Sequence, residues 1–175
     1  MIPGLVYFLI IAETDFHKKF FAFISQILED PFRYIQLKKQ KMLLSLKNGI
    51  KGIIFFQSIW TVGILIKLPE ILDFLGYSHT INIHIMRILL IAVFFHMLTL
   101  NLMIYLLYME LQFEAAMAAC LYLILNIAAT LFSILYFPLL PGTSYMLASV
   151  ATTLYCGYHL YKKAPIIDFI IFSRT

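Results

Sequence analysis

Apolar residues run in long blocks along this chain, and few polar positions interrupt them. Four blocks are long enough to cross a bilayer as helices, at about Gly49 to Ile66, Ile88 to Tyr108, Ala115 to Phe137 and Ser144 to Tyr161. Hydrocarbon offers no partner to a free backbone amide, so a span has to be helical, and about 20 residues cover roughly 30 Å. The opening block, Ile2 to Ala12, is shorter. At about 1.5 Å per residue it reaches about 17 Å, so it cannot span alone. No basic residue precedes it and no small-residue cleavage site follows, which speaks against a signal peptide.

Between that block and the first full span the period changes. In "DFHKKFFAFISQILED" Phe16, Phe20, Phe23, Ile24 and Ile27 recur at helical spacing against Lys18, Lys19 and Glu29. This is the pattern of an amphipathic helix lying at a membrane interface. Asp30 followed by Pro31 then reads as the N-cap and first-turn proline of a second helix through "FRYIQLKKQKMLLSLKN". Its cluster Lys38, Lys39, Lys41 and Lys47 either holds the segment to anionic lipid headgroups or docks a partner. The chain thus divides into residues 1–12, an apolar block too short to span; 13–48, a basic amphipathic segment; 49–161, a bundle of four transmembrane helices; and 162–175, a short tail. The fold class expected is all-α, a polytopic membrane helix bundle.

Composition agrees. With 62% hydrophobic and only 13% charged residues and a mean hydropathy of +0.91, the chain has more apolar surface than one soluble core could bury. The net charge of +4 sits beside apolar spans, so membrane lipids and not nucleic acid are its expected neighbours. Cys120 and Cys156 lie inside apolar runs without metal-ligand spacing, and no metal or cofactor is expected. Lysine and arginine counts set the orientation. Residues 13–51 carry eight and the tail carries Lys162, Lys163 and Arg174, whereas the 67–87 connection has only Lys67 and Arg87. The basic segment and the C-terminus therefore face the cytoplasm. The acidic turn at 109–114, with Glu110 and Glu114, adds nothing to that rule.

Polar residues within the spans carry the functional signal. In the second span Arg87 and Asn101 fall about 40° apart on a helical wheel, and His96 points to nearly the opposite side. Arg87 reads as snorkelling or pathway, and His96 as a hydrogen bond to a neighbouring helix or a pathway group. The third span sets Ala115, Ala119, Asn126, Thr130 and Ser133 near one face; the fourth has Ser149, Thr152, Thr153 and Cys156; the first has Gln57 and Thr61. Such stripes serve close helix packing, or a path for a neutral, sugar-like substrate. No phosphate loop, HExxH, nucleophile elbow or facing pair of carboxylates is present, so no enzyme activity is expected.

One junction carries a family resemblance. "FLIIAETDFHKKFFAFISQI" resembles the stretch of the PelG family, the inner-membrane transporters of Pel exopolysaccharide systems, that carries an "ETDF" motif. "MRILLIAVFFHMLTLNLMIYLLYME", "AACLYLILNIAATLFSILYFP" and "IIDFIIFSRT" resemble later family segments in the same order. The resemblance implies the C-terminal portion of a two-lobe, MATE-like flippase in the bacterial cytoplasmic membrane, moving exopolysaccharide or its precursor between its lobes. It makes residues 1–12 the end of a transmembrane helix whose beginning is missing, and puts the motif residues Glu13, Asp15 and Phe16 at the cytoplasmic mouth. Among the polar residues of the spans, Arg87, Asn101, Asn126 and Thr130 are the expected pathway residues. Implied partners are a cytoplasmic glycosyltransferase and other Pel inner-membrane subunits. The alternatives are a flippase for lipid-linked oligosaccharides of the O-antigen type, and a scaffold that anchors a synthase without transporting anything.

Overall fold

The structure, a computed structural model, describes residues 14–27, 32–76, 80–135 and 141–172, together with Val6 and Ile10. Every regular element among these residues is helical: α1 Thr14–Ile27, α2 Phe32–Phe74, α3 Thr80–Tyr108, α4 Gln112–Leu135, α5 Thr143–Lys163, a 3-10 turn Ala164–Ile166 and α6 Ile167–Phe172. The cap expected at Asp30 and Pro31 and most of the 1–12 block lie outside the described residues. The helices fall into two compact units, residues 1–57 with 164–175, and residues 58–163.

The expected break between a surface helix and a span is absent. Phe32 to Phe74 forms one helix of 43 residues, about 64 Å long at 1.5 Å per residue. The breakers between the two parts are Asn48-Gly49 and Gly52, and an interior glycine costs only about 1 kcal/mol. Ile35, Met42, Leu46 and Ile53, all buried on one side, carry a packed stripe past that pair and hold the helix together. The phenylalanine face of α1 is also used differently from expectation. Phe16, Phe20 and Phe23 are buried inside the protein, with Phe16 stacked on Phe20 at 5.7 Å, so lipid does not cover them. Two polar ties complete the unit. Ser45 Oγ donates to Asp15 Oδ2 at 2.5 Å, and Lys39 Nζ pairs with Asp168 Oδ2 at 2.8 Å beside the buried Ile167.

In the second unit α5 packs against both α3 and α4. Its buried face, Ala148, Ser149, Thr152, Cys156 and Leu160, is mostly small, so two neighbouring backbones can approach it closely. The turn from α3 to α4 is tight. The amide of Leu111 bonds the Leu106 carbonyl at 2.9 Å and that of Glu110 bonds Leu107 at 3.0 Å, the paired bonds of a Schellman cap. Glu110 holds the left-handed position at φ 59°, and Leu106 and Leu111 bury the accompanying apolar contact. At the opposite end of α5, Gly142 has φ 94°, and a Cβ there would lie 2.9 Å from Leu89 Cδ2. Glycine is required on both counts.

Among the described residues, three helical stretches are long and apolar enough to cross a membrane: Ile35–Phe74, Ile83–Tyr108 and Gln112–Leu135. The fourth expected span corresponds to α5, which has 21 residues and a more polar sequence. The polarity sits largely on its packed face, where neighbouring helices cover it.

Candidate functional site in the helical bundle

Polar groups gather at two levels of the second unit. At the first, His96 from α3, Tyr122 from α4 and Tyr145 from α5 meet as a ring cluster, His96 lying 5.1 Å from Tyr122 and 5.6 Å from Tyr145 between centroids. Tyr122 and Tyr145 meet edge to face at 6.3 Å. One aromatic from each helix thus locks the three together. The hydrogen bond expected from His96 to a neighbouring helix is replaced by these ring contacts, and its buried Nδ1 has no hydrogen-bond partner. Below the rings, Thr99 and Thr153 share a hydroxyl bond at 2.8 Å, and Thr153 Oγ1 also donates to the Phe95 carbonyl at 3.0 Å. Hydroxyls therefore stitch α3 to α5, as in other apolar helix pairs.

The second level is at the turn. Glu114, in the first turn of α4, is 7% exposed and receives a hydrogen bond and ion pair from Lys163, in the last turn of α5. Each charge sits at the helix end whose dipole favours it. His159, one turn earlier on α5, lies within electrostatic reach of the same carboxylate and meets the Tyr155 ring at a tilt, 4.3 Å between centroids. The second oxygen of Glu114 and Nδ1 of His159 are buried without hydrogen bonds.

The four residues read as a pathway have different surroundings. Asn101 is buried, its amide donating to the Met97 carbonyl at 2.8 Å while its carbonyl oxygen has no partner. Arg87 and Thr130 are exposed and Asn126 is half-buried. No hydrogen bond described here joins any two of the four. Of the mouth motif, Glu13 lies outside the described residues, and Phe16 is core. Asp15 pairs with Lys19 at 2.6 Å. The Lys19 hydrogen bond, then that of Ser45, holds its carboxyl below the ordinary value. The lysine cluster is split: Lys41 and Lys47 are exposed, while Lys39 is tied to Asp168.

Thr99, Tyr122, Tyr145, His159 and the Glu114–Lys163 pair were not singled out as site residues from the sequence. The usable signal was parity: with four crossings, the 109–114 turn and the residues after Tyr161 share a side, where Glu114 and Lys163 can meet.

Long helices with extensive exposed apolar surface and buried polar contacts between them define a polytopic α-helical membrane protein. Over residues 1–172 the sequence matches the PelG family, described as "Putative exopolysaccharide Exporter (EPS-E)", and the chain belongs to that family. No curated protein and no solved structure matches it.

Proposed function

We propose that this chain forms part of an exporter that carries a Pel-type exopolysaccharide, or its precursor, across the bacterial inner membrane. The observation that carries the reading is the family match over residues 1–172. In this reading α5 is a fourth span, the C-terminus is cytoplasmic and the helices belong to the C-terminal lobe of a MATE-like transporter. The lysine and arginine distribution supports that orientation.

The chemistry of the spans suits a neutral polymer. Sugar hydroxyls need alternating donors and acceptors and tolerate aromatic faces, and Asn101, Asn126 and Thr130 supply amide and hydroxyl groups without fixed charge. Arg87, at the outer end of its span, contacts the substrate as it leaves. Glu13, Asp15 and Phe16 stand at the cytoplasmic mouth, where Asp15 ties α1 to α2 through Ser45. A cytoplasmic glycosyltransferase and other Pel inner-membrane subunits complete the export system.

Alanine at Arg87 and at Asn126 in the intact exporter is expected to reduce secreted polymer at unchanged protein level in the membrane. Undiminished secretion from both variants would remove these residues from the pathway.

A further inference from the structure

The N-terminal half of α2 has two faces. Ile35, Met42, Leu46 and Ile53 are buried on one side. At 100° per residue, Leu37, Lys41, Leu44, Asn48 and Lys51 fall within an arc of about 80° on the opposite side, and all five are exposed. Leu37 and Leu44 are 51% and 58% exposed. Lys47 and Gln40 flank the stripe and are exposed as well. The sequence from Phe32 to Gln57 contains no aspartate or glutamate, so no carboxylate on this half of the helix neutralises the stripe.

The continuity of α2 decides what covers it. A helix lying flat in the interface could sink such leucines into lipid while its lysines reach the headgroups. Here the basic stretch is the direct continuation of a helix whose apolar half is long enough to span, and the whole measures about 64 Å against roughly 30 Å of hydrocarbon. A single helix cannot both cross the bilayer and lie flat in its surface. Lys41 and Lys47 keep their end of the helix out of hydrocarbon, and Leu44 between them and Leu37 one turn before Lys41 are then exposed to water. Two exposed leucines seven residues apart, two turns along one face within a positive field, match an amphipathic helix with its own leucines and an acidic rim.

We infer that the Leu37–Lys41–Leu44–Lys51 stripe of α2 docks an acidic amphipathic helix of a partner protein. The lysine cluster divides accordingly: Lys41, with Lys47 beside it, contacts the partner, and Lys39 anchors α6 through Asp168. The inference rests on the membrane-exporter reading only for the presence of a bilayer, and its test needs no export.

The full-length protein in phosphatidylcholine nanodiscs is titrated with a labelled synthetic peptide carrying leucines at helical spacing flanked by glutamates. Its twin with lysines for glutamates is the control. Saturable binding of the glutamate peptide alone is expected, weakened about ten-fold or more by Lys41→Glu with Lys47→Glu. Absence of binding, equal binding of both peptides, or binding unchanged in the charge-reversed protein would overturn the proposal. A second measurement keeps it testable if the reversed variant misfolds. Trp60 is the single tryptophan, so Leu44→Trp in a Trp60→Phe background reports on position 44 alone. Brominated lipids are expected to quench it far less than a Phe55→Trp control on the apolar half. Equal quenching would mean that lipid covers the stripe.

Discussion

Glu110 takes a left-handed backbone conformation that glycine adopts without cost. Replacing it with glycine is expected to raise stability by about 0.5–1 kcal/mol, because the cap keeps its hydrogen bonds and loses the Cβ penalty; thermal unfolding in detergent would show it, and a lower melting temperature would refute it. At Glu114 the sign reverses. Glu114→Gln strands the Lys163 ammonium in a partly buried site, at a cost of about 3 kcal/mol, and the double change with Lys163→Met recovers much of that loss. If the double variant is as unstable as the sum of the single ones, the two charges are not acting as a pair. Asp15 makes a pH-dependent tie. Its folded carboxyl is depressed by Lys19 and then Ser45, so its contribution is complete above the ordinary value of 3.8 and is lost as pH falls through the lower folded one. Asp15→Asn should therefore flatten the acid end of a stability profile taken below about pH 4. The Asp15–Lys19 contact was legible because it spans one helical turn. The pairs Glu114–Lys163 and Lys39–Asp168 were not, since residues 49 and 129 positions apart leave no periodic trace.

At the scale of elements, hydrophobic periodicity located the helices well and their joints poorly. The four apolar blocks lie within α2, α3, α4 and α5 save at the 136–137 end, which is not described. No helix break lies at the boundary drawn near Gly49, because the buried stripe of α2 outweighs its glycines. The phenylalanine face of α1 shows a further limit of pattern reading. An apolar stripe says that something covers it, not whether lipid or protein does. The packing of α5 gives two predictions. Gly142→Ala must displace Leu89 and hold a positive φ, so it should lower stability by more than about 1 kcal/mol, measured by unfolding in detergent. Thr99→Val and Thr153→Val should each weaken the α3–α5 contact, with a coupling near 0.6 kcal/mol in a double-mutant cycle. Strict additivity would mean that the shared hydroxyl bond contributes nothing.

At the scale of the molecule, family membership rests on nearly the whole sequence, residues 1–172, and membrane character on three long apolar helices. The ends of α4 and α5 that carry Glu114 and Lys163 meet inside one unit, as an antiparallel arrangement of spans requires. The candidate pathway was legible only as residue types, since a polar side chain in an apolar run can be buried and bonded to its own helix, as Asn101 is, or remain exposed, as Thr130 does. The most direct test of the account follows the polymer itself. Inverted membrane vesicles containing the complete export system, supplied with labelled nucleotide sugar, should accumulate polymer in the lumen, protected from an added glycosidase. Vesicles lacking this protein should leave any polymer they make outside and digestible. Equal protection in both preparations would contradict the account, because the polymer would then cross the membrane without it.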